Sequence, residues 1–298
     1  MGGKEAAPVS WSLDRREDLY AVVDGLRVRH WDVGAGSPVV LVHGLGASVE
    51  SWLPNVEALA ERHRVLALDL PGFGRSAKEG LTYSASFAAS FVAAFLDAMG
   101  AGRASVVGNS MGGLVALRLA LDHPERVDRL VLVSSAGLGR EVGFYLRLAA
   151  LPLLGDYLAS LGTPEAVVRA TISSILSNPH EMPRELIDRW VELTGLPGAS
   201  AAFVKAARAG LSIFGQRRQI VLRHRLAEVR APTLIVWGDE DPVIPVAHAY
   251  AAHRRLPCAR LHVFKGCRHC PQLERPAEFN ELVLEFLGEG QGGIPPGG

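Results

Sequence analysis

Six short runs at 39–42, 65–68, 104–107, 130–133, 234–237 and 261–264 are almost wholly apolar, without the alternation expected of a strand that has one wet face. Unbroken runs of this length fit strands covered on both sides, as in a parallel sheet flanked by helices. The stretches between them carry helical spacing at about 51–61, 84–99, 111–122, 246–255 and 276–287. Residues 20–32 differ: they alternate around Asp24-Gly25, a pair suited to a primed hairpin turn, and predict two antiparallel strands at one sheet edge. The pattern as a whole predicts an α/β fold, a mostly parallel eight-stranded sheet with flanking helices.

The strand–helix rhythm stops between Gly137 and about Leu226, where helical segments are punctuated by Pro152, Pro164, Pro179, Pro183 and Pro197. The expected division is therefore a core made of 1–136 and 227–288, interrupted by a helical insertion at 137–226. The glycine-rich tail at 289–298 is expected to be disordered. At 298 residues and 48% hydrophobic, the chain is long enough to bury one large core.

Candidate chemistry enters at Gly108-Asn109-Ser110-Met111-Gly112, which follows one apolar run and opens a helical stretch. A serine on a sharp strand-to-helix turn needs glycines two residues to either side, where side chains would clash. The turn lifts the hydroxyl clear of the sheet and aims the first amides of the helix at the same point. A serine hydroxyl still needs a base, and imidazole suits. The run at 233–237 leads into Gly238-Asp239-Glu240-Asp241-Pro242, and the run at 260–264 into Gly266-Cys267-Arg268-His269. Each loop thus offers a partner: His269 as base, and Asp239, Glu240 or Asp241 as the carboxylate that orients it.

With His43-Gly44-Leu45-Gly46 and the segment 69–76 (Asp-Leu-Pro-Gly-Phe-Gly-Arg-Ser), these motifs resemble the α/β-hydrolase superfamily from 39 to about 275, and the order serine, acid, histidine is that of the superfamily. The resemblance implies a Ser110–Asp241–His269 triad, Asp241 being at the third position after Trp237-Gly238. It implies an oxyanion hole from the backbone amides of Met111 and Leu45, and a helical cap in the insertion. Some relatives take the acid from the strand after the elbow helix, but here that strand ends in Ser134-Ser135-Ala136. No cofactor is implied.

Other features change the picture less. His43, just before a glycine turn, reads as a structural histidine bonded within its loop, and 69–76 as a tight turn without chemistry. Cys267 and Cys270 form a CxxC, yet only Cys258 remains to complete a zinc site and the context is not thioredoxin-like, so no metal is expected. Lys plus Arg and Asp plus Glu both number 31, which argues against nucleic acid or acidic membrane surfaces as partners. Residues 1–8 hold no apolar leader, and the longest apolar stretch, 144–161, is broken by Arg147, Pro152 and Asp156. A cytoplasmic enzyme with no integral membrane segment and a small-molecule substrate is expected, its oligomeric state open to a homo-oligomer.

The motifs leave the substrate class divided. The elbow and the Thr233–Asp241 region resemble small, capped bacterial carboxylesterases and lipases acting on small to medium acyl chains. Asn109 and Arg189 also resemble features of hydrolases that cleave carbon–carbon bonds in meta-cleavage products, but Cys270 stands where those enzymes place tryptophan. The ester reading makes Arg189 a surface ion-pair partner of Glu185, four residues earlier. Asn109, Arg189, Cys270, Phe144 and Leu148 are the candidate pocket residues under either reading. A noncatalytic ligand-binding protein on the same fold is the third alternative.

Overall fold

The computed structural model describes residues 9–13 and 17–289. Residues 1–8, where no apolar leader is expected, and all of the expected tail except Glu289 lie outside the described residues.

Eight strands form one sheet in the order β1-β2-β4-β3-β5-β6-β9-β10: β1 (Leu19–Val23), β2 (Leu26–Val33), β3 (Ser37–Val42), β4 (His63–Leu68), β5 (Ala104–Asn109), β6 (Val127–Val133), β9 (Thr233–Gly238) and β10 (Ala259–Phe264). From β4 to β10 all pairings are parallel, while β2 runs antiparallel to both β1 and β4. The β1–β2 turn is the expected primed one, with Asp24 at φ 47° and Gly25 at φ 78°.

The apolar runs are explained by two cores, one on each face of the sheet. Val40, Val42, Leu66, Leu68, Val106 and Leu132 face one way, against Phe91 and Phe95 of α2 (Ala85–Ala98) and Leu117 of α3 (Met111–Asp122). Val39, Leu41, Val65, Val107 and Val131 face the other, against α1 (Leu53–Ala60) and α11 (Pro276–Gly288). Every alternate residue therefore meets a helix, and no position needs to be polar. Buried Asn55 fastens α1 to the C-terminal region, donating to Asn280 Oδ1 at 2.8 Å and to the carbonyl of Gln272 at 3.0 Å.

Between β6 and β9 stand α4 (Phe144–Ala149), α5 (Leu154–Leu161), α6 (Pro164–Ile175), α7 (Arg184–Thr194) and α8 (Ala199–Gly210). The prolines mark boundaries: Pro164 opens α6 behind the capping hydroxyl of Thr163, and Pro183 immediately precedes α7. The insertion is not purely helical as expected. It includes a small hairpin, β7 (Leu211–Ser212) and β8 (Gly215–Gln216), with Gly215 at φ 99°. This strand pair is too short for periodicity to reveal. The remaining α-helices among the described residues are α9 (Ala247–His253) and α10 (Pro271–Glu274). No helix among the described residues is long and apolar enough to cross a membrane.

Candidate active site

Ser110 sits between β5 and α3 at φ 56° and ψ −116°, a backbone conformation that costs a non-glycine residue about 1–3 kcal/mol. Its surroundings hold it there. Its N–H donates to Val133 O at 2.9 Å, and its carbonyl accepts from Leu114 N at 3.2 Å and Ala136 N at 3.0 Å. A Cβ on Gly108 would lie 2.2 Å from Gly112 O, and one on Gly112 would lie 2.1 Å from Val42 O, so both flanking glycines are required by close backbone approach. Gly44, in the loop after β3, runs alongside, with the position of a Cβ there 3.3 Å from Ser110 Cβ. Met111 follows the serine as the first residue of α3 and has no intrahelical acceptor for its N–H, while Leu45 is the residue after Gly44.

The structure brings His269 and Asp241 together. His269 Nδ1 is 2.8 Å from Asp241 Oδ2, with both side chains almost fully buried. The other oxygen of Asp241 accepts from Val243 N at 2.8 Å and Ile244 N at 3.0 Å, while Trp237 Nε1 donates to Ile244 O and fixes the same loop. Asp239 and Glu240, the rival acids, are exposed, and Asp239 instead accepts from Gly266 N at 2.8 Å, joining the acid loop to the histidine loop. Asn109 is buried beside the serine and donates to the carbonyls of His269 and Val133, both at 3.3 Å. A neutral His269 with Nδ1–H on Asp241 presents Nε2 as a base, the tautomer that nucleophile activation requires.

Cys267 and Cys270 flank this histidine, both buried and unpaired by disulfide. Burial, reinforced by the charge of Glu274, pushes both thiols well above the ordinary range. Both are held as protonated thiols, and that of Cys267 donates to Glu274 Oε1 at 3.2 Å.

His43 is structural, as its position suggests. Its Nδ1–H donates to Gly44 O at 2.8 Å and its Nε2 accepts from Leu70 N at 3.0 Å, tying the loops after β3 and β4 together. Burial pulls this imidazole down to about 4. The unfolded chain therefore takes up a proton as pH falls below about 6.5 while the folded one resists until about 4, so His43 costs stability across that window, reaching about 3 kcal/mol at its lower end. Urea unfolding of a His43→Gln variant is expected to show the loss of stability between pH 7 and pH 4 reduced by about 3 kcal/mol relative to wild type.

Segment 69–76 is the expected turn, but it also carries charge into the interior. Arg29, 2% exposed, holds Glu50 through two bonds of 2.7 and 3.1 Å, reaches Asp69 at 3.3 Å and meets Asp18 at 2.7 Å. Burial and the neighbouring Glu50 push the Asp69 carboxyl up, against the opposing pull of Arg29. Ser48 Oγ donates to Glu50 at 2.6 Å, and Asp69 accepts from Val49 N and Arg75 N, each at 2.8 Å. The cluster bolts the loop carrying Leu45 to the loop after β4.

Among the insertion residues expected to line a pocket, Phe144 is 64% exposed and faces solvent, while Leu146 of the same helix packs against the core. Leu148 is half-buried. Arg189 pairs with Glu192, at 3.5 Å, and not with Glu185 as its spacing suggested; Glu192 also accepts from Arg75 at 2.6 Å, which draws it to that end of α7. Two residues missed from sequence come closer to the site. Phe203 of α8 lies against Gly46, where a Cβ would be 2.8 Å from its ring. Tyr145 of α4 is 44% exposed, and partial burial together with the charge of Asp241 raises its hydroxyl above the ordinary value. Neither belongs to a motif; only tertiary contact reveals them. A cavity of about 290 Å³ starts at Met111 and follows Leu114, Val115 and Arg118 down α3, roofed by Ala206 and Gly210 of α8.

Comparison with known proteins agrees with this fold. A family model described as the alpha/beta hydrolase fold matches residues 37–276. The chain is 35% identical to a 2-hydroxy-6-oxononadienedioate/2-hydroxy-6-oxononatrienedioate hydrolase of Burkholderia vietnamiensis, over 90% of this chain and 94% of that protein. It superposes with a TM-score of 0.78 on a meta-cleavage product hydrolase from Pseudomonas fluorescens IP01, at 28% identity, covering 91% of this chain and 97% of the other. An N-acyl homoserine lactone degrading enzyme gives a TM-score of 0.71 at 31% identity, covering 90% of this chain and all of the other. The chain belongs to the α/β-hydrolase fold family.

Proposed function

We propose that this protein is a serine hydrolase of carboxylic esters with small to medium acyl chains, working through a Ser110–His269–Asp241 triad and an acyl-enzyme. The observation that carries the reading is the buried 2.8 Å bond between His269 Nδ1 and Asp241, found together with a strained Ser110 elbow. Ser110 Oγ attacks the ester carbonyl as His269 Nε2 takes its proton, and Asp241 stabilises the imidazolium. The developing oxyanion is received by the amides of Met111 and Leu45, each such donor being worth about 3 kcal/mol in the transition state. Collapse expels the alcohol, which takes the proton from His269; water then repeats the sequence and releases the acid. The helical insertion acts as the cap over this centre. The cavity of about 290 Å³ beside Met111 is roughly twice the 150 Å³ space that holds one benzene, which suits a medium acyl chain.

A second reading, carbon–carbon hydrolysis of a meta-cleavage product, is favoured by the 35% identity to the Burkholderia enzyme and by Asn109 at the elbow. The ester reading is preferred because Arg189, which would have to bind the dienoate, is engaged by Glu192. The 31% identical structural relative is described as degrading an N-acyl homoserine lactone, and a lactone is itself a cyclic ester.

Kinetics on p-nitrophenyl esters and on a meta-cleavage dienoate, for wild type and Arg189→Ala, separate the two readings. Ester kcat/KM is expected to stay within about threefold in the variant, less than the loss of one charge-assisted hydrogen bond would cause. Efficient dienoate cleavage by wild type that collapses in Arg189→Ala would overturn the ester reading and establish the second.

A further inference from the structure

The loop bearing His269 is bonded more extensively to the insertion than to its own strand. The His269 N–H donates to Ile175 O, at the last residue of α6, at 2.9 Å. The guanidinium of Arg268 caps the same helix end, donating to Ser173 O at 2.8 Å and Leu176 O at 3.2 Å. Glu274 spans the junction. Its Oε1 accepts from Arg268 N at 2.9 Å and from Cys267 Sγ at 3.2 Å on the core side, and its Oε2 accepts from Ser177 N at 2.7 Å and from Ser177 Oγ on the insertion side. One carboxylate therefore receives two backbone amides from segments 91 residues apart in sequence, as read from Ser177 and Arg268. From the opposite side, Asn109 holds the His269 carbonyl to the elbow strand.

We infer that Glu274 is a positioning residue that couples the insertion to the base, so that the placement of α6 over the core sets where the His269 imidazole lies relative to Ser110. The inference rests on the proposal that His269 is the base. A carboxylate suits the task because both of its oxygens accept, and all four groups facing it are donors. An amide at this position has one accepting oxygen and one donating nitrogen, so it must turn a donor towards either Ser177 N or Arg268 N and release one side of the junction. Because His269 N and Arg268 also hold α6, release of either side loosens both. Substrate seated beneath the insertion then acts on the base through this junction: a chain that lets α6 settle completes the alignment of His269, and one that props it open does not.

The test compares wild type with Glu274→Gln by amide hydrogen exchange and by ester kinetics. Exchange is expected to quicken about tenfold or more in the peptides covering 173–178 and 266–270 together, with the elbow strand unchanged. In the same variant kcat should fall about ten- to a hundredfold with KM within about twofold, the pattern of a misplaced base and not of lost substrate binding. Faster exchange in one segment alone, or an unchanged kcat with both segments loosened, would overturn the inference. If Glu274→Gln does not fold, Arg268→Met, which removes the cap on α6 and leaves the carboxylate, reads the same coupling with the same two outcomes. Wild type inactive on every ester would count against the proposed function, whereas the exchange measurement would still report whether the two segments move as one.

Discussion

Replacement of Ser110 by alanine is expected to lower ester turnover by about four to six orders of magnitude, leaving only what the oxyanion amides and binding supply. The fold should not suffer. Alanine at φ 56° carries the same backbone strain as serine, so the urea midpoint should stay where it is. Ser110→Gly makes the sharper comparison: it is equally inactive, but relief of the left-handed strain should stabilise it by about 1 kcal/mol or more. Asp241→Asn should also lose orders of magnitude, since it removes the charge facing the imidazolium and the acceptor that fixes its tautomer. Asp239→Asn should lose far less, because an amide oxygen can still accept from Gly266 N. A folded Ser110→Ala protein keeping more than about a tenth of wild-type activity would show that another group is the nucleophile.

The largest expected effect on stability is that of Arg29→Met. It removes the guanidinium that holds Glu50 and Asp69, both fully buried, and strands two carboxylates in the interior. Breaking a buried pair from one side typically costs about 3–5 kcal/mol, a large share of the roughly 5–15 kcal/mol that holds a domain folded. Because Glu50 and Asp69 brace the loop of Leu45 through Ser48 and Val49, activity should fall as well. Adding Glu50→Gln and Asp69→Asn to the variant removes the stranded charges and should restore part of the stability in urea. No change in the urea midpoint on Arg29→Met would show that water reaches the cluster and solvates the carboxylates.

The sheet was legible because each inner strand is covered on both faces, which leaves runs such as 39–42 with no polar position and separates them from the helical spacing between. The hairpin was legible because Asp24-Gly25 can adopt two positive φ values. The elbow, the histidine loop and the acid loop were legible as motifs, since close backbone approach at Gly108 and Gly112 leaves only glycine there. What sequence concealed depends on contacts between distant segments. Arg29 reads as a wet-face residue of an alternating strand, yet three carboxylates from other segments enclose it. Glu274 reads as an ordinary acid in a short helix, and its value comes from Ser177 lying opposite. Spacing alone gave Arg189 the wrong partner, because Arg75 of the core fixes Glu192 within its reach. Apolar content likewise did not tell Phe144, which faces solvent, from Phe203, which packs on Gly46.

The most direct test of the nucleophile is covalent capture. A fluorophosphonate reacts with an activated serine by forming an oxygen–phosphorus bond and expelling fluoride, and it requires the same base and oxyanion donors as ester hydrolysis without requiring the natural substrate. Intact mass and peptide mapping after treatment of the wild-type chain should show one adduct, on the peptide containing Ser110. Labelling should be absent in Ser110→Ala and at least a hundredfold slower in His269→Ala and Asp241→Asn, in keeping with groups that act as a unit. An adduct on a different residue, or Ser110 labelled at the wild-type rate without His269, would contradict the account.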